Sequence, residues 1–316
     1  MVKKQYKGSV YIGRGMVLSV FDPWSSPLCT CPFKYSLHPY TGCSHQCLYC
    51  YATSYIRVER STPKKDFIKR LLRDLERANP QIPISMSNSS DPYPPEEAAY
   101  KLTRKTLEIL LPRGFKVLVV TKGALVARDA DLLSKGNAAV TMTITTLDEN
   151  LAKRLEPGAP SPRERINALR VLVEHNVPVG VRVDPIIPFL NDDESEIKEL
   201  IETLASIGVK FIVTSTYKAR PDNLKRMEKG FPEIADKLDR LYRASGEWVR
   251  GYWYLPLILR KKLLRPVIEA ARKMGLEYAT CREGLTSREW FNAKSCDGTH
   301  LIPLRVEPKK KTLLDT

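Results

Sequence analysis

The sequence predicts an α/β protein built on a parallel sheet, arranged as an open barrel or a doubly wound sheet. Three observations carry this. Short β-branched runs alternate with stretches whose apolar residues recur at helical spacing. Six such strand-and-helix units follow one another, the pattern of β/α repeats rather than of hairpins. Capping residues mark helix ends where the pattern needs them.

Taken in order, strands are expected near Tyr35–Tyr40, Ile82–Met86, Lys116–Thr121, Ala139–Thr145, Pro178–Val183 and Lys210–Thr214. Helices are expected between them, near Pro63–Ala78, Glu96–Leu110, Leu125–Ser134, Ser161–His175 and Asp193–Ile207. Ser161-Pro162-Arg163-Glu164 sets a capping serine, a first-turn proline and a glutamate three residues on. Gly208 stands where a left-handed cap would end the fifth helix. Residues 1–34, with Pro23, Pro27 and Pro32, read as an extended lead-in carrying a Cys-x-Cys. Residues 35–216 read as the barrel, and residues 217–316 as a helical, basic C-terminal region with two further cysteines. In parallel α/β folds chemistry gathers at the carboxyl ends of the strands.

With 316 residues, 43% hydrophobic and 28% charged, the chain has ample material for a core, which excludes disorder or a coiled coil as its main architecture. There is no run of eighteen apolar residues and no apolar leader after Met1, so a cytoplasmic protein without membrane association is expected. The net charge of +15 favours an anionic partner, nucleic acid (tRNA or DNA) before acidic lipid; a charged surface that merely leans basic is the alternative. Residues 217–274 hold fifteen Lys/Arg against seven Asp/Glu. Tyr217, Phe231, Tyr242, Trp248, Tyr252, Trp253 and Tyr254 interleave with them. Cations and stacking rings suit a phosphate backbone and splayed bases. The competing reading is two long surface helices whose rings pack on the sheet domain.

Seven cysteines, an odd number in a large chain, point to metal or thiol chemistry rather than a disulfide scaffold. Cys43, Cys47 and Cys50 follow the first expected strand in the spacing C-x3-C-x2-C. Three thiolates on one tight loop suit three corners of a cubane iron–sulfur cluster, leaving the fourth iron open to another ligand. A zinc site completed by His45 is the weaker reading, because zinc motifs usually pair C-x2-C elements.

This spacing, with aromatic Tyr49 before the third cysteine, resembles the radical S-adenosylmethionine (SAM) superfamily. Further stretches are similar to its spore-photoproduct-lyase-like branch. These are His38-Pro39-Tyr40-Thr41-Gly42 with Tyr51-Ala52, Ser90-Asp91-Pro92-Tyr93, Thr121-Lys122 with Arg128-Asp129, Leu155-Glu156-Pro157, and Asp184-Pro185-Ile186-Ile187-Pro188. The resemblance spans about residues 35–280. It implies a partial (β/α)6 barrel and a [4Fe-4S] cluster on Cys43, Cys47 and Cys50. It also implies reductive cleavage of SAM to a 5′-deoxyadenosyl radical, with an electron donor such as ferredoxin or flavodoxin. By the same likeness Tyr49 lies against the adenine, and Ser87, Ser90 and Asp91 face the SAM amino group and ribose. Lys122 meets the SAM carboxylate, and Arg182, Asp184 and Ile187 flank the adenine. The photoproduct lyase returns a hydrogen atom to its product from a cysteine thiol; Tyr51, Tyr55 and Tyr93 are the donors available here if no thiol is free.

Cys29, Cys31, Cys281 and Cys296 remain, a full tetrahedral set for zinc or a second iron–sulfur centre. Cys296-Asp297-Gly298-Thr299-His300 is also similar to the ending of NEET-type [2Fe-2S] proteins. By that likeness the ligands are Cys29, Cys31, Cys296 and His300, leaving Cys281 free. Buried thiols without metal are the third reading. His38 is expected to serve packing or hydrogen bonding, and His175 to end a helix. The functional expectation is a radical SAM enzyme that modifies or repairs nucleic acid. The alternative is the same radical chemistry on a peptide, protein or small molecule with an auxiliary metal site. A non-catalytic metal-bearing nucleic-acid binder would not need the polar strand ends.

Overall fold

The computed structural model describes residues 16–21, 26–56, 58–86 and 89–308. One eight-stranded sheet organises them: β1 Leu18–Val20, β2 Tyr35–Leu37, β3 Ile84–Met86, β4 Val117–Thr121, β5 Ala138–Thr143, β6 Val179–Ile186, β7 Phe211–Thr216 and β8 Glu277–Thr280. Spatial order equals chain order. Only β1 runs antiparallel, pairing with β2, and β1 and β8 form the edges. Each crossover in β2–β7 returns through helical segments, as parallel strands require. The six expected strands are β2–β7, and the architecture is an open, partial (β/α)6 barrel carried one strand further by β8.

The main helices are α1 Phe67–Leu75, α2 Leu102–Leu110, α3 Glu149–Leu155, α4 Pro162–Glu174, α5 Glu194–Ile207, α6 Pro221–Gly230 and α7 Leu257–Lys273. The Ser161 capping box at α4 and the left-handed Gly208 after α5 are as the sequence predicts. Two expectations fail locally. The helix over Glu96–Leu110 breaks at Lys101 (φ 51), because the Glu97 carboxylate accepts the amides of Thr103 and Arg104 and the Tyr40 hydroxyl. Residues 124–129 wind as a 3₁₀ helix before one α turn at Ala130–Leu133.

Alternation along the strands separates two cores. Ile212 and Val181 pack outward beneath the helices, and α7 lies on α5 and β7. Phe211, Val213 and Ala279 point inward and meet Ala293, Cys296, Phe291 and Leu301. The chain after β8 therefore re-enters the barrel and fills its interior. Gly298 holds φ +95, and a Cβ there would stand 2.5 Å from Thr141 Cγ2, so only glycine fits this approach. Asn137 then pins the exit, accepting the amides of Arg305 (2.6 Å) and Val306 (2.8 Å).

The region after residue 216 is thus not purely helical and not separate from the sheet. It supplies β8, the interior plug and a hairpin pairing Glu247–Val249 with Tyr252–Tyr254. Five of the seven aromatics in residues 217–274 (Tyr217, Phe231, Tyr242, Tyr252 and Tyr254) are buried, whereas Trp248 is 55% exposed. The rings are chiefly core, as the packing reading had it.

Candidate active site

Tyr40 leads into the cysteine loop, pairing across a short ladder with Pro63. Gly42 (φ +79) makes the turn; a Cβ would lie 2.3 Å from Arg60 O. The loop is held by its own backbone and by the neighbouring β/α unit. The Cys50 amide donates to Cys47 O (3.1 Å), Leu48 N to Leu155 O (2.8 Å) and Gly158 N to His45 O (3.0 Å). Burial raises the Cys47 and Cys50 thiols, and the Lys122 cation opposes it at both.

Cys43, Cys47 and Cys50 share the wall of one cavity of about 440 Å³ at the carboxyl ends of the strands. That volume lies within the range of small-molecule sites, roughly 300–1,000 Å³. The strand ends place their side chains around it. Asp91, after β3, is spent on structure: it accepts Tyr93 N (2.8 Å), Thr121 Oγ1 (2.6 Å) and Lys122 N (2.8 Å), tying β3 to β4. Burial disfavours its charge, yet His45 and these bonds hold its pKa down at about 2. His45 Nδ1 stands 3.4 Å from Asp91 Oδ2. Burial works against the imidazolium, but the Asp91 carboxylate and the neighbouring Cys43 raise its pKa to about 10. His45, two residues after Cys43, therefore pairs its charge with Asp91.

Ser90 Oγ lies 3.4 Å from His38 Nδ1 and donates to Tyr40 O (3.3 Å). Burial, then Lys64, lowers His38 to about 3, so the ring is neutral and serves hydrogen bonding as expected. Ser87 lies outside the described residues. The Tyr49 hydroxyl donates to Glu156, which pairs with buried Arg165; Lys122 Nζ sits 5.4 Å from the Tyr49 ring centroid. Tyr49 is thus anchored in a buried Glu156–Arg165–Lys122 charge network. Arg165, which donates to Thr143 O (3.0 Å), has no motif to announce it.

Across the cavity, Arg182 Nη2 donates to Asp184 Oδ2 (2.6 Å), and Ser215 donates to the other Asp184 oxygen. Ile187 is fully buried outside the cavity lining, its amide donating to Asn191 Oδ1 (2.7 Å). Lys218, just beyond β7, pairs with Glu283 (2.9 Å), which also accepts Thr216 N (2.7 Å) and Arg260 Nη1 (3.2 Å). Lys218 occupies a strand-end position that sequence reasoning passed over; Arg282 and Glu283 had no spacing signal.

Of the three tyrosines singled out, Tyr51 and Tyr55 line the cavity. Tyr93 does not: its hydroxyl donates to Asp129 (3.0 Å), within the Arg104–Arg128–Asp129 network. Arg282 stacks over the Tyr252 ring at 4.4 Å and lies 5.8 Å from that of Tyr51; Arg220 covers Tyr252 at 4.8 Å. Arg282 and Tyr51 therefore line the cavity, and Tyr252 is buried against Arg282 and Arg220.

The donor set fits a cubane cluster. Three thiols stand on one braced loop at a cavity end, and the nearest imidazole is engaged by Asp91 rather than free to be a fourth ligand.

The sequence model of the radical SAM superfamily matches residues 37–242, and the chain belongs to that superfamily. A structure of a spore photoproduct lyase mutant with bound AdoMet and dinucleoside spore photoproduct shares the fold, with TM-score 0.60 and 18% identity over 87% of this chain and 81% of that one. An uncharacterized protein, ORF301 of Acidianus two-tailed virus, is 30% identical over 67% of this chain and 80% of its own length. The radical SAM Nα-GlyT isomerase of Pseudomonas phage M6 is 24% identical over 78% of this chain and 53% of its own length. Family membership implies a [4Fe-4S] cluster and SAM, and makes the protein an enzyme of radical chemistry. No described helix is long and apolar enough to cross a membrane.

Proposed function

We propose that the protein modifies or repairs a nucleic acid, DNA or tRNA, by radical SAM chemistry inside this cavity. Cys43, Cys47 and Cys50 hold the cluster in this reading. When bound, the cluster and SAM supply a 5′-deoxyadenosyl radical that takes a hydrogen atom from substrate, after an electron arrives from a small carrier such as ferredoxin or flavodoxin. The chain's own part is to bind, orient and exclude water. Lys122 offers a cation to the SAM carboxylate, Ser90 a hydroxyl to its polar end, and Arg182 with Asp184 a paired polar wall beside the adenine. Asp91 acts as a positioning residue, fixing the Lys122 backbone through its amide.

The observation that carries the nucleic-acid assignment is the cavity wall of Arg282, Tyr51 and Tyr55. A guanidinium attracts phosphate, and the adjoining tyrosine rings offer stacking faces to an unstacked base. The excess positive charge of the chain acts in the same direction. Tyr51 and Tyr55, both on the cavity wall, are the hydrogen donors of this reading.

The test is anaerobic incubation of reconstituted enzyme with SAM, reductant and either DNA, tRNA or a peptide mixture. Digested nucleosides are then compared by mass spectrometry with and without protein. A nucleoside of altered mass formed together with 5′-deoxyadenosine is expected. Unchanged nucleosides beside an altered peptide would transfer the chemistry to the other substrate class.

A further inference from the structure

The four cysteines outside the cluster loop come from opposite ends of the sequence, yet the fold brings them together. Cys29 and Cys31 precede β2, Cys281 follows β8 directly, and Cys296 belongs to the plug inside the barrel. Cys31 Sγ lies 3.5 Å from Cys296 Sγ. Cys29 lies beside Cys31, and Cys281 beside Arg182. Cys31, Cys281 and Cys296 share one inward-facing cluster with Phe211 and Val213. All four are free thiols.

We propose that Cys29, Cys31, Cys281 and Cys296 bind a second metal centre, a thiophilic zinc ion or iron sulfide, in the barrel interior at the wall of the reaction cavity. The spacing supports a shared metal atom. Two thiolates about 2.3 Å from one tetrahedral ion stand roughly 3.8 Å apart, close to the Cys31–Cys296 separation. Among the described residues no three His, Cys, Asp or Glu side chains yet surround one point at single-ion spacing. A single ion shared by all four therefore requires half-buried Cys29 and Cys281 to turn inward. Metal binding releases one proton from each thiol. With a single zinc ion, four thiolates and two positive charges leave a net charge of −2, and buried Lys34 and half-buried Arg182 lie beside it.

The remaining residues of the plug have other work, which settles the ligand set. Asp297 pairs with Lys34 and accepts the Thr299 amide (3.0 Å). His300 has one ring nitrogen 2.6 Å from Ser295 Oγ and the other 3.1 Å from Glu277, and its ring meets Phe211 edge-on. It is engaged away from the cysteines, so Cys281 rather than His300 completes the set. The centre would clamp the lead-in and the plug to the sheet. It would also leave no cysteine thiol to return a hydrogen atom to product, consistent with a tyrosine donor.

The test separates this centre from the family cluster. A Cys43→Ala/Cys47→Ala/Cys50→Ala variant, purified without oxygen or chelator, is analysed for zinc, iron and acid-labile sulfide. We expect about one zinc, or about two or more iron with matching sulfide, per chain. Adding Cys31→Ser and Cys296→Ser should remove at least nine-tenths of that metal, while His300→Ala retains it. A folded triple variant free of both metals overturns the proposal, as does a Cys31–Cys296 disulfide in anaerobically purified wild type. If the triple variant does not fold, wild type decides: zinc near one, or iron well above four per chain, supports the centre, and four iron with no zinc refutes it. Radical chemistry on any substrate leaves these outcomes unchanged.

Discussion

Replacing Asp91 by asparagine removes a charge and almost no volume. In the folded protein the two carboxylate oxygens accept Tyr93 N, Thr121 Oγ1 and Lys122 N and face His45. An asparagine keeps one acceptor oxygen and turns an NH2 toward donors, so one buried N–H loses its partner, at about 1–3 kcal/mol. The carboxyl pKa falls from 3.8 unfolded to about 2 folded. That depression corresponds to about 2 kcal/mol at neutral pH. The two figures overlap, so a total near 3 kcal/mol is expected. A depressed acid stabilises above its unfolded pKa and loses that stabilisation as pH falls through its folded value. The gap between wild type and Asp91→Asn should therefore be full at pH 7 and shrink between about pH 5 and pH 2. Urea midpoints of the metal-free proteins across that range measure it. A pH 7 loss below about 1 kcal/mol, or a gap that does not narrow in acid, would show that Asp91 does not tie β3 to β4 as described.

Four further outcomes follow from the same geometry. Glu156→Gln leaves buried Arg165 uncompensated and should cost about 3–5 kcal/mol, whereas adding Arg165→Met should restore part of the loss; equal instability of single and double variants in thermal melts would contradict the pairing. Lys122→Met should weaken SAM binding about tenfold or more without changing iron content, measured by calorimetry on the reconstituted enzyme. Gly298→Ala, forced to φ +95 against Thr141, should destabilise by more than about 1 kcal/mol, and a neutral effect would argue against the interior plug. Arg282→Ala should lower affinity for DNA or tRNA and flatten its salt dependence by about one counterion; an unchanged slope would remove Arg282 from the phosphate path.

What the sequence made legible is what local rules govern. Six of the seven parallel strands announced themselves as β-branched runs, Ser161 and Gly208 marked real helix ends, and three closely spaced cysteines marked a loop that the fold sets on the cavity wall. What it hid depends on partners distant in the chain. Nothing near Lys101 shows that Glu97 will draw the amides of Thr103 and Arg104 and break a helix. Asp91 lies on the cavity wall, but nothing near it in the chain shows that Thr121 and Lys122 will donate to its oxygens. Tyr217, Tyr242 and Tyr254 read as stacking rings among lysines, but α6, α7 and the hairpin fold over them. The contact between residues 29–31 and 296 depends on the plug re-entering the barrel, which no periodicity encodes.

The most direct measurement is 5′-deoxyadenosine released from SAM by anaerobically reconstituted, reduced protein, compared between wild type and Cys47→Ala. Wild type should release it, and the folded variant should fall to the level of a protein-free control. Release at the wild-type rate by the variant would mean that the loop of Cys43, Cys47 and Cys50 is not where the chemistry begins.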